Sequence, residues 1–321
     1  TLGLSERDYR LLEAFYDNGS KMVEFMRDND IVHFREFKMW DVDTYPPDYA
    51  DHLPENKVPR GRSLEPAKGA GSTEGGGSLA ATMAEWLEKN GGPVLTDHRV
   101  TGLVKEGDRV VGVEVDHLGT PLRIGARKGV VFGTGGFAHN SDLINLHQTA
   151  LYGSCAMPGS TGDFIAIAGA AGAQLGGLHM AWRTQVVFEE VLQNRMLGLA
   201  AFVLPGDSMI VVNKYGHRIT NEKRNYNDRT RTHFYWDPTR EEYSNQLQFM
   251  IFDHRTLDAF GGAYPLPRDP RESTYLIKGN SWRELVDNIG DRLDSIAIQS
   301  GGVTLADSFA KELQATVGHF N

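Results

Sequence analysis

The sequence predicts an α/β fold. Three features carry that expectation: an N-terminal segment with apolar residues at helical spacing, alternating strand-like segments between Pro93 and Asp116, and a short apolar run around Val131 that passes directly into glycines and a second, small-residue helix.

Each element follows from local chemistry. Ser5 is placed to cap a helix, with Asp8 near its first turn. Leu11, Leu12, Phe15, Met22, Phe25 and Met26 then recur at helical spacing, so one or two helices are expected from about Glu6 to Asp28. From Val32 to Pro66, Pro46, Pro47, Pro54 and Pro59 break any long element. Gly69 to Gly77 reads as a glycine-rich turn. A helix from Ser78 to Asn90, apolar at Leu79, Met83, Trp86 and Leu87, is expected to end at Gly91. Strands are expected over Pro93–Asp97, Val100–Lys105 and Val110–Asp116, the last two joined at Gly107-Asp108, and Leu122–Ile124 adds a short one. Val111, Val113 and Val115 fall on one side of the third strand. A short buried strand is expected over Gly129–Gly133, and a helix from Asp163 through Gln174. Beyond Trp182, strand-like pieces at Met209–Asn213 and Leu247–Asp253 alternate with polar, aromatic-rich loops, and a last helix runs from about Leu305 to Phe320.

Composition bounds the function. The 321 residues suffice for roughly two domains, and 40% hydrophobic with 23% charged residues is the balance of a water-soluble globular chain. A net charge of −9 argues against general affinity for nucleic acid or an anionic membrane. One cysteine, Cys155, excludes an internal disulfide framework and points to a reducing compartment; the thiol reads as a buried small hydrophobe. With no apolar run approaching the roughly 20 residues of a membrane span and no leader pattern in TLGLSERDYR, a cytoplasmic protein without an integral membrane segment is expected. His139 and His147 have no well-spaced partners, so no metal site is expected.

Three motifs carry chemistry. In Val130-Val131-Phe132-Gly133-Thr134-Gly135-Gly136-Phe137, an apolar strand enters glycines whose bare backbone lets N–H groups approach a phosphate or ribose; an ordinary tight turn explains the glycines equally well. In Ser160-Thr161-Gly162-Asp163, Ser160 or Thr161 is placed to cap a helix whose N-terminal amides favour an anion, although a capped, closely packed core helix is the commoner meaning. In Met209–Glu222, a strand, a turn at Tyr215-Gly216 and a polar strand present Arg218 beside Asn221 and Glu222, a pairing that fixes a partly buried guanidinium.

In this order and spacing, the three segments resemble the flavoprotein family of fumarate reductase, succinate dehydrogenase flavoprotein, urocanate reductase and 3-ketosteroid Δ1-dehydrogenase. The family's A-T-G-G-F stretch is matched by Gly133-Thr134-Gly135-Gly136-Phe137, its T-G-D-G helix start by Thr161-Gly162-Asp163-Phe164, and its V-N-x-x-G-x-R-F-x-N-E stretch by Val212 to Glu222, with Ile219 in place of Phe. The resemblance implies an incomplete Rossmann-like FAD-binding domain over residues 1–180 and an α+β cap, or substrate, domain over 181–321. It implies FAD as cofactor, with Thr134, Gly135, Gly136, Phe137, Thr161, Gly162 and Asp163 beside it.

The chain also departs from the pattern. The family's N-terminal G-x-G-x-x-G unit has no counterpart, since Gly69-Ala70-Gly71-Ser72-Thr73-Glu74-Gly75 follows no buried strand and is one residue too long. A fragment of a longer chain, lacking also the return to the flavin domain, is expected. Where fumarate-reducing members carry H-P-T, this chain has Trp182-Arg183-Thr184-Gln185. The likeness therefore leans to the ketosteroid branch, supported by Met180-Ala181-Trp182, the loop Tyr45-Pro46-Pro47-Asp48-Tyr49 and Asn221-Glu222-Lys223-Arg224-Asn225-Tyr226. It implies Tyr226 as the residue that takes a proton from the substrate, with Tyr45, Tyr49 and Trp182 as substrate contacts. Arg218 is the proton donor if the reaction runs in the reductive direction. Arg218, Arg224, Arg229 and Arg231 lie close in sequence to Tyr226, and a guanidinium beside the phenol would favour its anion; the same run reads equally as a solvated face. The expected partners are a small molecule, either a steroid-like ketone or an unsaturated acid, and an electron acceptor or donor. The reaction implied is hydrogen transfer across a carbon–carbon bond next to a carbonyl.

Overall fold

The computed structural model describes residues 3–38, 45–46, 48, 50–67, 75–148, 153–193, 197, 201 and 203–320. The chain divides into two compact units, 1–98 and 99–321.

In the first unit, α1 (Glu6–Asp28) is a single helix. It starts as the sequence predicts: Ser5 Oγ accepts from the Asp8 amide at 3.2 Å, while the Asp8 carboxylate accepts from the Ser5 amide at 3.3 Å. It buries no residue, and Phe15 and Tyr16 are 79% and 84% exposed. Two short strands, β1 (Phe34–Glu36) and β2 (Leu64–Pro66), pair antiparallel. In α2 (Gly75–Lys89), Trp86 donates its indole N–H to the Asn29 carbonyl at 3.1 Å. Gly91, at φ +74°, then lets the Gly92 amide turn back to the Leu87 carbonyl and end the helix. The segment Pro93–Asp97 is not the strand expected. It is irregular and closes in a turn with Asp97 at φ +57°, a conformation that an extended ladder cannot include.

The second unit takes up at a three-stranded sheet in which β4 (Arg109–His117) lies between β3 (His98–Glu106) and β5 (Thr120–Gly125). Val113 faces Ile124 and Val115 faces Leu122 across the β4–β5 pairing, and Val115 is buried. Gly129–Gly133 does not form the expected buried strand: the stretch is irregular and Val131 is 94% exposed. A strand exists only where its N–H and C=O groups meet a neighbour. Among the described residues no strand pairs with this one.

Two helices follow, α3 (Ser141–His147), capped by the Asn140 side chain, and α4 (Asp163–Ala170). α4 is shorter than predicted. Gly172 at φ +88° brings the Ala173 amide back to the Ala168 carbonyl and terminates it. Its N-cap is Gly162 at φ +79°, so neither Ser160 nor Thr161 caps it. Beyond α5 (Phe188–Gln193), the unit is organised around β6 (Met209–Val212), which pairs antiparallel with β9 (Phe249–Phe252). Between them lie α6 (Tyr226–Arg229), which runs into a 3-10 turn at Thr230–Phe234, and the small hairpin of β7 (Trp236–Asp237) and β8 (Glu242–Tyr243). The chain closes with α7 (His254–Phe260), α8 (Trp282–Ser295), α9 (Ala297–Ser300) and α10 (Phe309–Phe320).

Alternation places Ile210 and Val212 on one face of β6, against Ile289 and Leu293 of α8 and Phe309 and Leu313 of α10. Met209 and Val211 on the other face pack with Ala201 and Leu204. Mixed helix and sheet content agrees with an α/β class, although every strand pairing of recorded register is antiparallel. Cys155 is exposed rather than buried.

Gly216 turns the chain after β6 at φ +79°, and a Cβ there would lie 2.7 Å from both the Leu313 amide nitrogen and the Phe309 carbonyl oxygen of α10. Both neighbours are backbone and cannot swing aside. Gly216→Ala is therefore expected to cost about 2–4 kcal/mol, combining left-handed strain with overpacking. Urea unfolding checks this, and a midpoint equal to that of the native protein would refute it.

Candidate functional site

The two glycine bends predicted to share a ligand lie against each other. The His139 amide donates to the Ser160 carbonyl at 3.0 Å, and the Asn140 side-chain amide donates to the Thr161 carbonyl at 3.0 Å. A Cβ on Gly135, at φ +71°, would sit 3.4 Å from Ser160 Oγ. Cβ atoms on Gly133, Gly136 and Gly159 would meet only open space. Among the described residues, none of the N–H groups of 133–136 donates to a protein acceptor. The junction thus offers unspent amides and room beside them, which is what an anionic nucleotide requires.

The second bend's predicted residues have contacts within the protein as well. Gly162 is needed for packing, because a Cβ would strike Phe137 at 2.7 Å and Leu143 at 2.8 Å. The Thr161 hydroxyl donates to Asp163 at 3.0 Å. Asp163 in turn takes two hydrogen bonds from Arg99, at 2.9 and 3.2 Å, which with the Thr161 bond hold its carboxyl below the usual range.

Arg218 is fixed as expected, by Glu222 and not by Asn221. Its guanidinium meets the Glu222 carboxylate at 2.5–3.2 Å and lies over the Phe320 ring at 4.7 Å, while the Asn221 side chain accepts from the Lys223 amide. Glu222 is 3% exposed and also accepts from the Val211 amide at 2.9 Å. The Glu222 hydrogen bond raises the Arg218 pKa further above its already high ordinary value.

Tyr226 opens α6, half-buried, behind the Asn225 cap. Its ring is parallel to that of Trp182, with centroids 6.3 Å apart and planes 2° apart. Trp182 is 81% exposed, so one face of this aromatic pair is open to a ligand. The adjoining Arg183 donates its amide to Asn227 Oδ1 at 2.9 Å and its guanidinium to Gln148 Oε1 at 2.9 Å, and it lies over the Phe234 ring. Burial pulls its pKa down.

Three arginines of this run have defined partners of their own. Arg218 holds Glu222, and Arg231 stands 3.9 Å from Asp228. Arg229, 1% exposed, donates to the carbonyls of Arg224 and Ala201 and to Gln185 Oε1. Gln185 and His233, which sequence reading did not single out as site residues, complete this buried polar group. The bonds that join Gln185 to His233 and to Arg229 span 48 and 44 residues, so no local pattern marks them. In the first unit, the Tyr45 ring covers Gly61 and its carbonyl accepts from Arg60; Tyr49 lies outside the described residues. Among the described residues no cluster of His, Cys, Asp or Glu is arranged to hold a metal ion, and no helix is long and apolar enough to cross a membrane.

Joined bends with open amides fit a nucleotide, and an aromatic pair with a neighbouring guanidinium lies in the same unit. The model of the FAD binding domain family matches residues 3–321, and the chain belongs to that family. It is 31% identical over 230 residues to the 4-oxocyclohexanecarboxylate 2-dehydrogenase of Sinomonas cyclohexanicum, which is 69% of this chain and 39% of that protein. It is 30% identical over 239 residues to the 3-oxosteroid 1-dehydrogenase of Mycolicibacterium smegmatis, 67% of this chain and 40% of that one. The chain therefore spans about two fifths of the length of these curated relatives. The crystal structure of 3-ketosteroid delta1-dehydrogenase from Sterolibacterium denitrificans, in complex with 1,4-androstadiene-3,17-dione, shares the fold at a TM-score of 0.69. That match covers 96% of this chain and 64% of that one at 22% identity.

Burial lowers the His233 pKa. Between that lowered value and the ordinary value of about 6.5, the unfolded chain binds the extra proton, so stability rises with pH across this window and is lost as the solution is acidified. Urea midpoints at about pH 7.5 and about pH 5.5 are expected to differ less in His233→Gln than in the native protein. An equal difference in both would show that the imidazole is not the group responsible.

Proposed function

We propose that this chain forms the core of an FAD-dependent oxidoreductase that desaturates a ring ketone, taking hydrogens from the carbon–carbon bond next to the carbonyl. The observation that carries the reading is the junction of the two glycine bends, with the unspent amides of 133–136 beside Ser160. The FAD-binding side is assigned to residues 1–180 and the substrate cap to 181–321. The two relatives above are named for a 4-oxocyclohexane and a 3-oxosteroid, both ring ketones, so a 3-ketosteroid-like substrate is favoured.

Bound FAD supplies the acceptor for the hydride. The chain's own residues do the rest. Amides 133–136 hold the nucleotide in place, with Asn140 keeping the second bend against the first. The open face of Trp182 receives a flat alicyclic ring by apolar contact. Tyr226, beneath Trp182, takes the proton from the carbon next to the carbonyl. It takes that proton as the phenolate and becomes the neutral phenol, a step that depends on the substrate carbonyl being polarised as the proton leaves. In the reverse direction Arg218 would have to give up a proton. Its pairing with buried Glu222 makes it a poor donor, which favours desaturation over a fumarate- or urocanate-type reduction.

The test is an assay of the intact protein with a 3-ketosteroid and a dye acceptor, set against fumarate with reduced viologen. Tyr226→Phe is expected to lower turnover by about 10²–10⁴-fold, the usual worth of a general base, while the bound flavin spectrum is unchanged. Near-native turnover in this variant would overturn the role given to Tyr226, and activity on fumarate alone would overturn the substrate class.

A further inference from the structure

Gln185 stands where three elements of the second unit meet, and its side-chain orientation follows from hydrogen-bond chemistry alone. A guanidinium has only donors. Arg229 approaches Gln185 at 2.6 Å, so the atom it meets is the amide oxygen. The Gln185 NH₂ group must then point the other way, where it lies 2.6 Å from Gln248 Oε1 and 3.1 Å from His233 Nε2. The opposite imidazole nitrogen, Nδ1, is 3.0 Å from the Gln246 carbonyl, which only accepts. His233 is therefore neutral, with its proton on Nδ1 and its Nε2 lone pair receiving Gln185. The hydrogen bonds run one way, from Arg229 through Gln185 and His233 to Gln246, and reversing the Gln185 amide would set donor against donor at Arg229.

The backbone is tied at the same place. The Ala201 amide donates to the Gln185 carbonyl at 2.8 Å, and Arg229 donates to the Ala201 carbonyl at 2.7 Å. Two residues earlier, the Arg183 amide donates to Asn227 Oδ1 in α6. Segment 182–185 is thus pinned to α6 at two points, one and three residues after Trp182, and the planes of Trp182 and Tyr226 come out 2° from parallel.

We infer that Gln185 is a positioning residue: by accepting from Arg229 and donating to His233 it locks segment 182–185 onto α6 and so sets the plane of Trp182 over Tyr226. Because Tyr226 is carried on α6 itself, losing the lock displaces the tryptophan rather than the tyrosine. The effect falls on the binding of the flat substrate ring, and so rests on the reading of Trp182 as its contact.

The experiment is a double-mutant cycle between Gln185→Leu and Trp182→Phe in the intact flavin-bearing protein. The near-UV circular dichroism of the stacked pair is the component lost in Trp182→Phe. Gln185→Leu is expected to remove the same component, to raise the KM for a ring ketone about tenfold, and to change kcat less than about twofold, the signature of lost substrate binding. In the Trp182→Phe background, Gln185→Leu is expected to have no further effect on KM. A stack signal that survives Gln185→Leu, or an equal KM shift in both backgrounds, overturns the inference. If Gln185→Leu does not fold, Gln185→Met serves in the same cycle, since it is closer to glutamine in length and has neither the acceptor for Arg229 nor the donors. If Trp182→Phe and Tyr226→Phe both leave KM and turnover unchanged, the functional reading falls, while the dichroism arm still decides whether Gln185 positions Trp182.

Discussion

The second unit depends on how one edge of β6 is closed. All four of its residues are buried, with apolar side chains packed on both faces. Among the described residues its ladder has β9 on one side only. Backbone groups inside such a core cannot be left to water, so the other edge must be satisfied by the chain itself. The turn at 213–216 supplies the closure. Asn213 donates its amide to the His217 carbonyl, its side chain accepts from the amides of Tyr215 and His217, and Val212 bridges to Arg218. On the same edge the Val211 amide is met by a carboxylate, Glu222. A carboxylate at 3% exposure is costly unless a cation answers it. Arg218 is that cation. Four residues beyond Glu222 the chain starts α6 with Tyr226, so the burial of β6 fixes where the aromatic pair begins.

Seen this way, Arg218 stands in the sequence pattern for a reason that does not require chemistry on a substrate. Truncating it would leave Glu222 buried and unanswered, a loss of about 3 kcal/mol at the lower end for broken buried pairs, since the Arg218 head keeps partial contact with water. Any loss of activity in an Arg218 variant must be separated from this loss of stability before it is assigned to proton transfer.

Local signals were legible and distant ones were not. The Ser5–Asp8 cap and the strands of the β3–β5 sheet are written in adjacent residues, and both stand where the residues place them. Helix α8, which lies where the sequence reading places aromatic-rich loops, carries an equally local signal. Ser281 caps it through the Glu284 amide, and Leu285, Ile289 and Leu293 recur at four-residue spacing. The expected strand at 129–133 failed for the opposite reason: its apolar run is real, but a strand is made by its neighbours. The glycines divide by use. Gly162 reads like an anion-binding glycine, yet Phe137 and Leu143 fill the space its Cβ would take, whereas Gly133 and Gly136 face open space. Glycine in a motif records that a side chain is excluded; the reason for the exclusion is visible only in three dimensions.

The two halves of the proposed site are spaced by one short helix. Asn140, at the head of α3, caps the helix with its side-chain oxygen and holds the Thr161 carbonyl with its side-chain nitrogen. Gln148, at the other end, accepts from the Arg183 guanidinium and donates to the Leu178 carbonyl. A helix of seven residues is about 10 Å long, and here both of its ends are tied by side-chain hydrogen bonds. The segment bearing Trp182 is therefore held at a set distance from the amides of 133–136 by α3 and at a set tilt to Tyr226 by the Arg229–Gln185 bonds. Distance and tilt are determined by different residues, so substitutions at Asn140 or Gln148 should disturb the relation of cofactor to substrate, and those at Gln185 the seating of the substrate alone. A hydride crosses only a short gap between aligned atoms. On the function proposed above, α3 bears on that gap and the Gln185 bonds on the tilt of the ring that the substrate meets.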